Sequence, residues 1–245
     1  STQTQNVVIK DVTPPTIDVN LPFTINSECE VTSLTDPSPT DNCGGTIMIT
    51  NDATLPITTT TLVTWTYDDG NGNTSMQQQN VVINDETAPV ADAATLLDIT
   101  AECYVDTSTL TAPTAADACE GNINGTTPDI MITTQGTTPI TWTYDDGNGN
   151  TSMQTQDVVI NDVTPPALDS ALPFAITAEC EVTSLTDPSP IDNCGGAVTI
   201  THDATTPINT QGTTVVTWTY VDVNGNTSMQ TQNIVINDET APVAD

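Results

Sequence analysis

The residues best suited to chemistry are oxygen side chains at alternate positions in one short stretch. Asp69, Asn71 and Asn73 are separated by single glycines, with Asp68 just before them. The same letters return as Asp145, Asp146, Asn148 and Asn150, and an edited third version keeps Asp222, Asn224 and Asn226. Alternating Asp and Asn with Gly is how a loop wraps oxygens around Ca²⁺. The distal bidentate Glu of a helix–loop–helix calcium site is absent. A competing reading is a tight turn, with Asp and Asn capping backbone N–H groups and Gly at positive φ. Val221 and Val223 replace the residues corresponding to 68 and 70, yet the triplet is retained, which speaks for the cation.

The second candidate chemistry is sulfur. Six cysteines fall as Cys29 and Cys43, Cys103 and Cys119, and Cys180 and Cys194, one pair in each repeat of the sequence. Zinc wants four ligands, and the chain has a single histidine, His202. Fifteen connectivities are formally open, and the even distribution predicts three local disulfides, each stabilising by roughly 3 kcal/mol. Such bonds imply an oxidising, extracytoplasmic setting.

These residues need elements to hold them. Residues 65–77 recur identically at 142–154 and, edited, at 218–230, each reading as a strand, a tight loop and a return strand. Thr supplies 51 of 245 positions, no stretch has the apolar period of a long helix, and alternation at 61–67 points Val63, Trp65 and Tyr67 to one side. The predicted class is all-β, with Trp65, Trp142 and Trp218 anchoring successive cores. The repeats span 11–84, 85–161 and 162–237. Residues 1–10 read as the last strand of a preceding repeat and 238–245 as the start of the next, so the sequence is expected to be a slice of a longer array. Segments 16–20, 23–30, 46–51, 61–67 and 74–84 are the expected strands of the first repeat, and 36–45 a long loop. Residues 31–45 and 182–196 differ only at Thr40 and Ile191, so a two-repeat block has been duplicated. Short, proline-stiffened connections between repeats predict an extended rod.

The formal charge is −31 with one Lys and no Arg. That excludes a nucleic-acid or anionic-membrane surface, since counterion release would have the wrong sign, and no apolar run is long enough to insert in a membrane as a helix. Such a charge suits neutralisation by divalent cations or screening in high salt.

The Asp-x-Thr-(Pro/Ala)-Pro openings at Asp11, Asp85, Asp162 and Asp238, the Asp-Asn-Cys loops at 41 and 192, and the Thr-Trp-Thr-Tyr-Asp hairpins together resemble hyalin (HYR-like) repeats. The resemblance covers all three repeats. It implies tandem immunoglobulin-like β-sandwich domains, found in extracellular proteins that include large surface adhesins of gliding Bacteroidota, and hence a cell-surface stalk or adhesion filament without catalysis. In such a sandwich the hairpin tip and the Cys loop lie where the first strand enters. That end gathers Asp11, Asp41, Asn42, Asp68 and Asp69 in the first repeat and Asp85, Glu86, Asp117, Asp145, Asp146, Asn148 and Asn150 in the second. In the third it gathers Asp162, Asp192, Asn193 and Asp222. Carboxylates converging without Lys or Arg repel unless a cation sits among them, so Ca²⁺ is expected at the junctions. The expected partners are neighbouring repeats of the same chain and lateral copies in a filament. Two other readings stay open: repeats that bind a glycan or protein themselves, and an accessory region of a secreted enzyme.

Overall fold

The computed structural model describes residues 1–241, which are all-β with no α-helix among them. The chain forms two compact units. One comprises Ser1–Ala94, Ala112–Thr126 and Trp142–Gln154; the other comprises Thr95–Thr111, Thr127–Thr141 and Thr155–Asp245. The middle repeat therefore contributes to both.

In the first unit, β1 (Thr24–Ser27), β2 (Met48–Asn51), β3 (Thr61–Asp68) and β4 (Thr74–Ile83) form a sheet of order β1-β4-β3-β2. The alternation on β3 works as its pattern requires: Val63, Trp65 and Tyr67 are buried, and Val81 joins them from β4. Val31 and Ile57, bridged to each other, close the core from the opposite layer. Two glutamines on β4 explain why the hairpin motif continues as far as it does. Gln79, only 2% exposed, accepts from the Trp65 indole N–H at 3.1 Å and donates to the Pro22 carbonyl. Gln77 accepts from the Tyr67 hydroxyl at 2.8 Å and donates to the Asp18 carbonyl. Each aromatic is thus buried with its polar end satisfied, and each glutamine ties the sheet to the opening segment.

The middle repeat adds β5 (Val90–Ala91), β6 (Ile99–Ala101), β7 (Val105–Asp106), β8 (Thr114–Asp117), β9 (Gly121–Asn124), β10 (Met131–Ile132), β11 (Gly136–Asp145) and β12 (Thr151–Ile160). Its sheets run β5-β8-β9, β10-β7 and β11-β12-β6. In the second unit β13 (Ala175–Ala178), β14 (Thr199–His202), β15 (Gly212–Val221) and β16 (Thr227–Ile236) repeat the first arrangement as β13-β16-β15-β14. Val216, Trp218, Tyr220, Ile234 and Ile236 are buried there, with Val182 and Ile208 facing them. Gln232 again sits under the indole, at 3.3 Å.

The structure departs from the expected strand at 16–20, where Thr16 makes only a single antiparallel bridge to Thr40, as Ala167 does to Ile191; apart from that bridge 36–45 is the expected loop. Pro14, Pro15, Pro37 and Pro39 lack the N–H groups a longer ladder needs. Where the middle repeat has Ala115 and Ala116 in this stretch, the same pairing lengthens to β5-β8. The four-residue fragment 242–245, expected to continue a further repeat, lies outside the described residues.

Trp218 is fully buried, so Trp218→Ala should destabilise by about 3–5 kcal/mol in urea unfolding. A loss under about 1 kcal/mol would mean that the indole does not anchor this core.

Candidate functional site

β1 runs parallel to β4, registered from Thr24↔Asn80 to Ser27↔Ile83, and the Asn84 N–H bonds the Ser27 carbonyl at 3.0 Å. Cys29 therefore lies where the chain leaves its repeat. The hairpin tip and the loop carrying Cys43 lie at the other end, where Asp11, Asp41 and Cys43 place ligand atoms within 4.8 Å of one another. The thiol of Cys43 is pushed up by burial first and by the carboxylates of Asp11, Asp41 and Asp69 next. The ten residues of β4 span roughly 33 Å, and a disulfide tolerates only about 7 Å between Cα atoms.

The local pairing of Cys29 with Cys43, Cys103 with Cys119 and Cys180 with Cys194 is accordingly not what the structure contains. Cys29 bonds Cys119 within the first unit, with Cα atoms 4.9 Å apart, and Cys103 bonds Cys194 within the second, at 4.8 Å. Both bonds join one repeat to the next. Cys43 and Cys180 are free and exposed. Loops of 90 and 91 residues are closed, so the chain-entropy contribution rises from roughly 3 to about 4–5 kcal/mol per bond.

The repeat openings are built into these junctions. Asp85 accepts the Thr87 N–H, and the Thr87 hydroxyl donates to Glu28 at 2.9 Å. Asp162 and Thr164 repeat the arrangement with Glu102, at 2.7 Å, and Glu102 also accepts from the Asn193 amide at 2.9 Å. Asp238 and Thr240 do so with Glu179. Glu28, Glu102 and Glu179 were not among the expected site residues. The legible signal was a Glu directly before the first cysteine of every repeat.

Of the expected oxygen ligands, the structure gathers some and employs others in turns. In the second unit Asp162, Asp192 and Asp222, exposed by only 5%, 6% and 6%, bring carboxylate oxygens within 4.8 Å of one another. Asp192 Oδ2 accepts the Cys194 N–H, while its buried Oδ1 has no partner. Two oxygens on opposite sides of one Ca²⁺ lie about 5 Å apart, so the donor set fits that ion. In the first unit Asp85 and Asp117 close on the sulfur of Cys119, and Asp117 Oδ2 is buried without a partner; Asp146 is not part of that group. Asp11 Oδ2 and Asp41 Oδ2 are likewise unpartnered.

The triplets themselves fold as capped turns. Asp69 accepts from the Asn71 and Asn73 N–H groups and from the Asn73 amide at 2.6 Å, with Gly70 and Gly72 at φ +76° and +99°. Asp146 with Asn148 and Asn150, and Asp222 with Asn224 and Asn226, do the same. The Asn73 amide holds the Asp69 carboxyl below the usual carboxylate range. At Asp146 and Asp222 burial is the largest influence and opposes ionisation, but the Asn150 or Asn226 amide and the turn N–H groups outweigh it, leaving both carboxyls low. Asp68 and Asp145 cap Gly70 and Gly147 from exposed or half-exposed positions. Glu86 is exposed, bonded to Asn84 and outside the carboxylate group. Asn71, Asn148 and Asn224 are exposed. Of the three first carboxylates only Asp222 joins a carboxylate group, while the asparagines shape the turns, and the Asn150 and Asn226 amides also donate to the Asp85 and Asp162 carbonyls at 3.1 Å.

No family model matches the chain. It is 32% identical to "Hyalin" of Lytechinus variegatus over 232 residues, covering 85% of this chain and 43% of that protein. It is also 32% identical to "Hyalin" of Strongylocentrotus purpuratus over 98% of this chain and 22% of that protein. The chain thus spans less than half the length of either relative. Among solved structures, the Drosophila N-cadherin EC1-4 crystal structure covers 91% of this chain and 75% of its own at 9% identity, with a TM-score of 0.33. That likeness is too slight to bear on fold or function. What the chain shares with the two hyalins is sequence similarity across its repeats.

Proposed function

We propose that this chain is a load-bearing stalk segment of an extracellular adhesion protein, reinforced by disulfides that overlap in sequence. The overlap carries the reading. Cys103 precedes Cys119, so the 29–119 loop and the 103–194 loop interlock. Tension entering at the N-terminus crosses to Cys119, passes back along the chain to Cys103, and crosses again to Cys194. Even with the middle repeat unfolded, only residues 103–119 can straighten between the two bonds, roughly 55 Å, against roughly 250 Å for residues 85–161 fully drawn out. A disulfide local to each repeat would leave most of that length free. The similarity to hyalin and the lack of any catalytic constellation in the sequence support a structural role over an enzymatic one. His202, the single histidine, packs edge-on against Trp218 at 4.9 Å. A place in surface filaments, including gliding adhesins, follows from the same reading.

Pulling the full chain by its ends tests this. Under oxidising conditions unfolding should extend only about two fifths of the contour, because residues 30–102 and 120–193 are bypassed, and reductant should restore nearly all of it. Equal release in both states would end the proposal.

Calcium completes the junction in this reading. Asp162, Asp192 and Asp222 would hold it in the second unit, with Asp85 and Asp117 the corresponding pair in the first, and the ion would supply the counter-charge that neither Lys nor Arg provides. Adding Ca²⁺ at a hundredfold excess over its Kd should stabilise by about 2.7 kcal/mol, read as a rise in melting temperature that Asp192→Asn removes. A melting temperature indifferent to Ca²⁺ and to chelator would exclude the ion while leaving the disulfide argument intact.

A further inference from the structure

The Cys103–Cys194 bond and the carboxylates Asp162, Asp192 and Asp222 occupy one place in the second unit. Asp162 puts a carboxylate oxygen within 4.8 Å of those of Asp192 and Asp222, and one within the same distance of the Cys194 sulfur and a Glu102 oxygen. The three carboxylates are not held in the same way. Asp162 and Asp222 are joined without the disulfide, because the Asn226 amide donates to the Asp222 carboxylate at 2.9 Å and to the Asp162 carbonyl at 3.1 Å. Asp192 stands on a separate loop. Ile191, at the base of that loop, is bridged to Ala167. Beyond the base, residues 192–194 are held against the dipeptide Glu102–Cys103. The Asn193 amide donates to Glu102 at 2.9 Å and reaches the Cys103 sulfur at 3.7 Å, and the disulfide follows one residue later. Asp192 Oδ2 accepts the Cys194 N–H at 2.9 Å, so the carboxylate is fixed to the bonded cysteine itself. Its other oxygen is the buried one without a partner, on a residue only 6% exposed. With the disulfide gone, the tie that remains to Glu102 is an exposed amide hydrogen bond, which water competes for.

We propose that this disulfide and the cation site are one linked device: Ca²⁺ binds more tightly when Cys103 and Cys194 are bonded, and bound Ca²⁺ in turn makes that bond harder to reduce. The inference rests on calcium binding at this junction and adds its regulation. The disulfide positions the third carboxylate in advance, so less ordering has to accompany binding. Ca²⁺ takes oxygen ligands, so the thiol that reduction releases offers no replacement. The coupling is reciprocal by thermodynamic necessity, and couplings of this kind run from about 5-fold to 150-fold. With Ile191 still bridged in either state, the lower part of that range applies, about tenfold, which for a two-electron couple is about 30 mV. Loss of calcium and reduction therefore open the junction together.

The test equilibrates the full chain in buffers of reduced and oxidised dithiothreitol, with and without Ca²⁺, and with Mg²⁺ as the control for screening. One dithiothreitol thiolate attacks a sulfur of the bond, forming a mixed disulfide and expelling one protein thiolate. Its second thiolate closes the ring and expels the other, so one dithiothreitol is oxidised for each protein disulfide reduced to two thiols. Alkylation and mass spectrometry of Asp-specific digests then read the Cys103–Cys194 bond separately from Cys29–Cys119. Saturating Ca²⁺ should raise the oxidised-to-reduced ratio about tenfold at a fixed buffer poise, and Asp192→Asn should abolish the rise. Calorimetry should find Ca²⁺ binding weakened by the same factor in the Cys103→Ser/Cys194→Ser chain. Ca²⁺ that binds both forms equally, with the ratio unmoved, would overturn the coupling and leave the calcium site standing. Ca²⁺ that binds neither form would remove the site and the inference with it. The redox titration uses the unaltered chain, so a cysteine variant that fails to fold leaves the test intact.

Discussion

The structure turns on the parallel pairing of β1 with β4. That pairing carries the chain from the entrance of a repeat to its exit within its first strand, so a cysteine placed just after the strand, Cys29, stands beside Ile83 and Asn84 where the next repeat begins. Everything distinctive about the junctions follows. The exit cysteine can reach only the neighbour, the adjacent Glu28 meets the neighbour's Thr87, and the two cysteines of one repeat are held roughly a strand's length apart. Disulfides that are short in space and long in sequence are the result.

Long loops matter twice over. They remove more conformational freedom from the unfolded chain than local loops of about 15 residues would. Because they overlap, they also leave only residues 103–119 able to extend between the two bonds under load. A repeat whose core is a Trp, a Tyr and a handful of β-branched residues gains from such bracing, since a small core alone contributes little. The carboxylates at the same junction oppose it. Asp162, Asp192 and Asp222 crowd three negative groups into a water-poor space within a chain of charge −31, and the oxygen of Asp192 left unpartnered is where that opposition is most evident. A junction that is covalently closed and electrostatically strained is one whose stiffness a cation could set.

Much of the fold could be read directly. The alternation at 61–67 identified the inward face of β3, the Thr-rich composition gave the all-β class, and the repeats placed Trp65 and Trp218 in equivalent cores. The carboxylates Asp11, Asp41, Asp162, Asp192 and Asp222 were legible because the openings and loops repeat. Cysteine pairing was misread because proximity in sequence stood in for proximity in space; Cys29 and Cys43 are only 14 positions apart, yet they stand at opposite ends of the repeat. Asn71 and Asn73 stood between two readings, because the spacing that wraps a metal is also the spacing that caps a turn at positive-φ glycines; the structure shows the capped turn through the hydrogen bonds to Asp69.

The central claim is the cross-repeat connectivity, and peptide mapping of the unreduced chain tests it most directly. The single Lys10 makes trypsin useless, so cleavage at aspartate is required. The account predicts linked peptides joining Cys29 to Cys119 and Cys103 to Cys194, with Cys43 and Cys180 alkylated in the monomer. Peptides joining Cys29 to Cys43, Cys103 to Cys119 and Cys180 to Cys194 would contradict it.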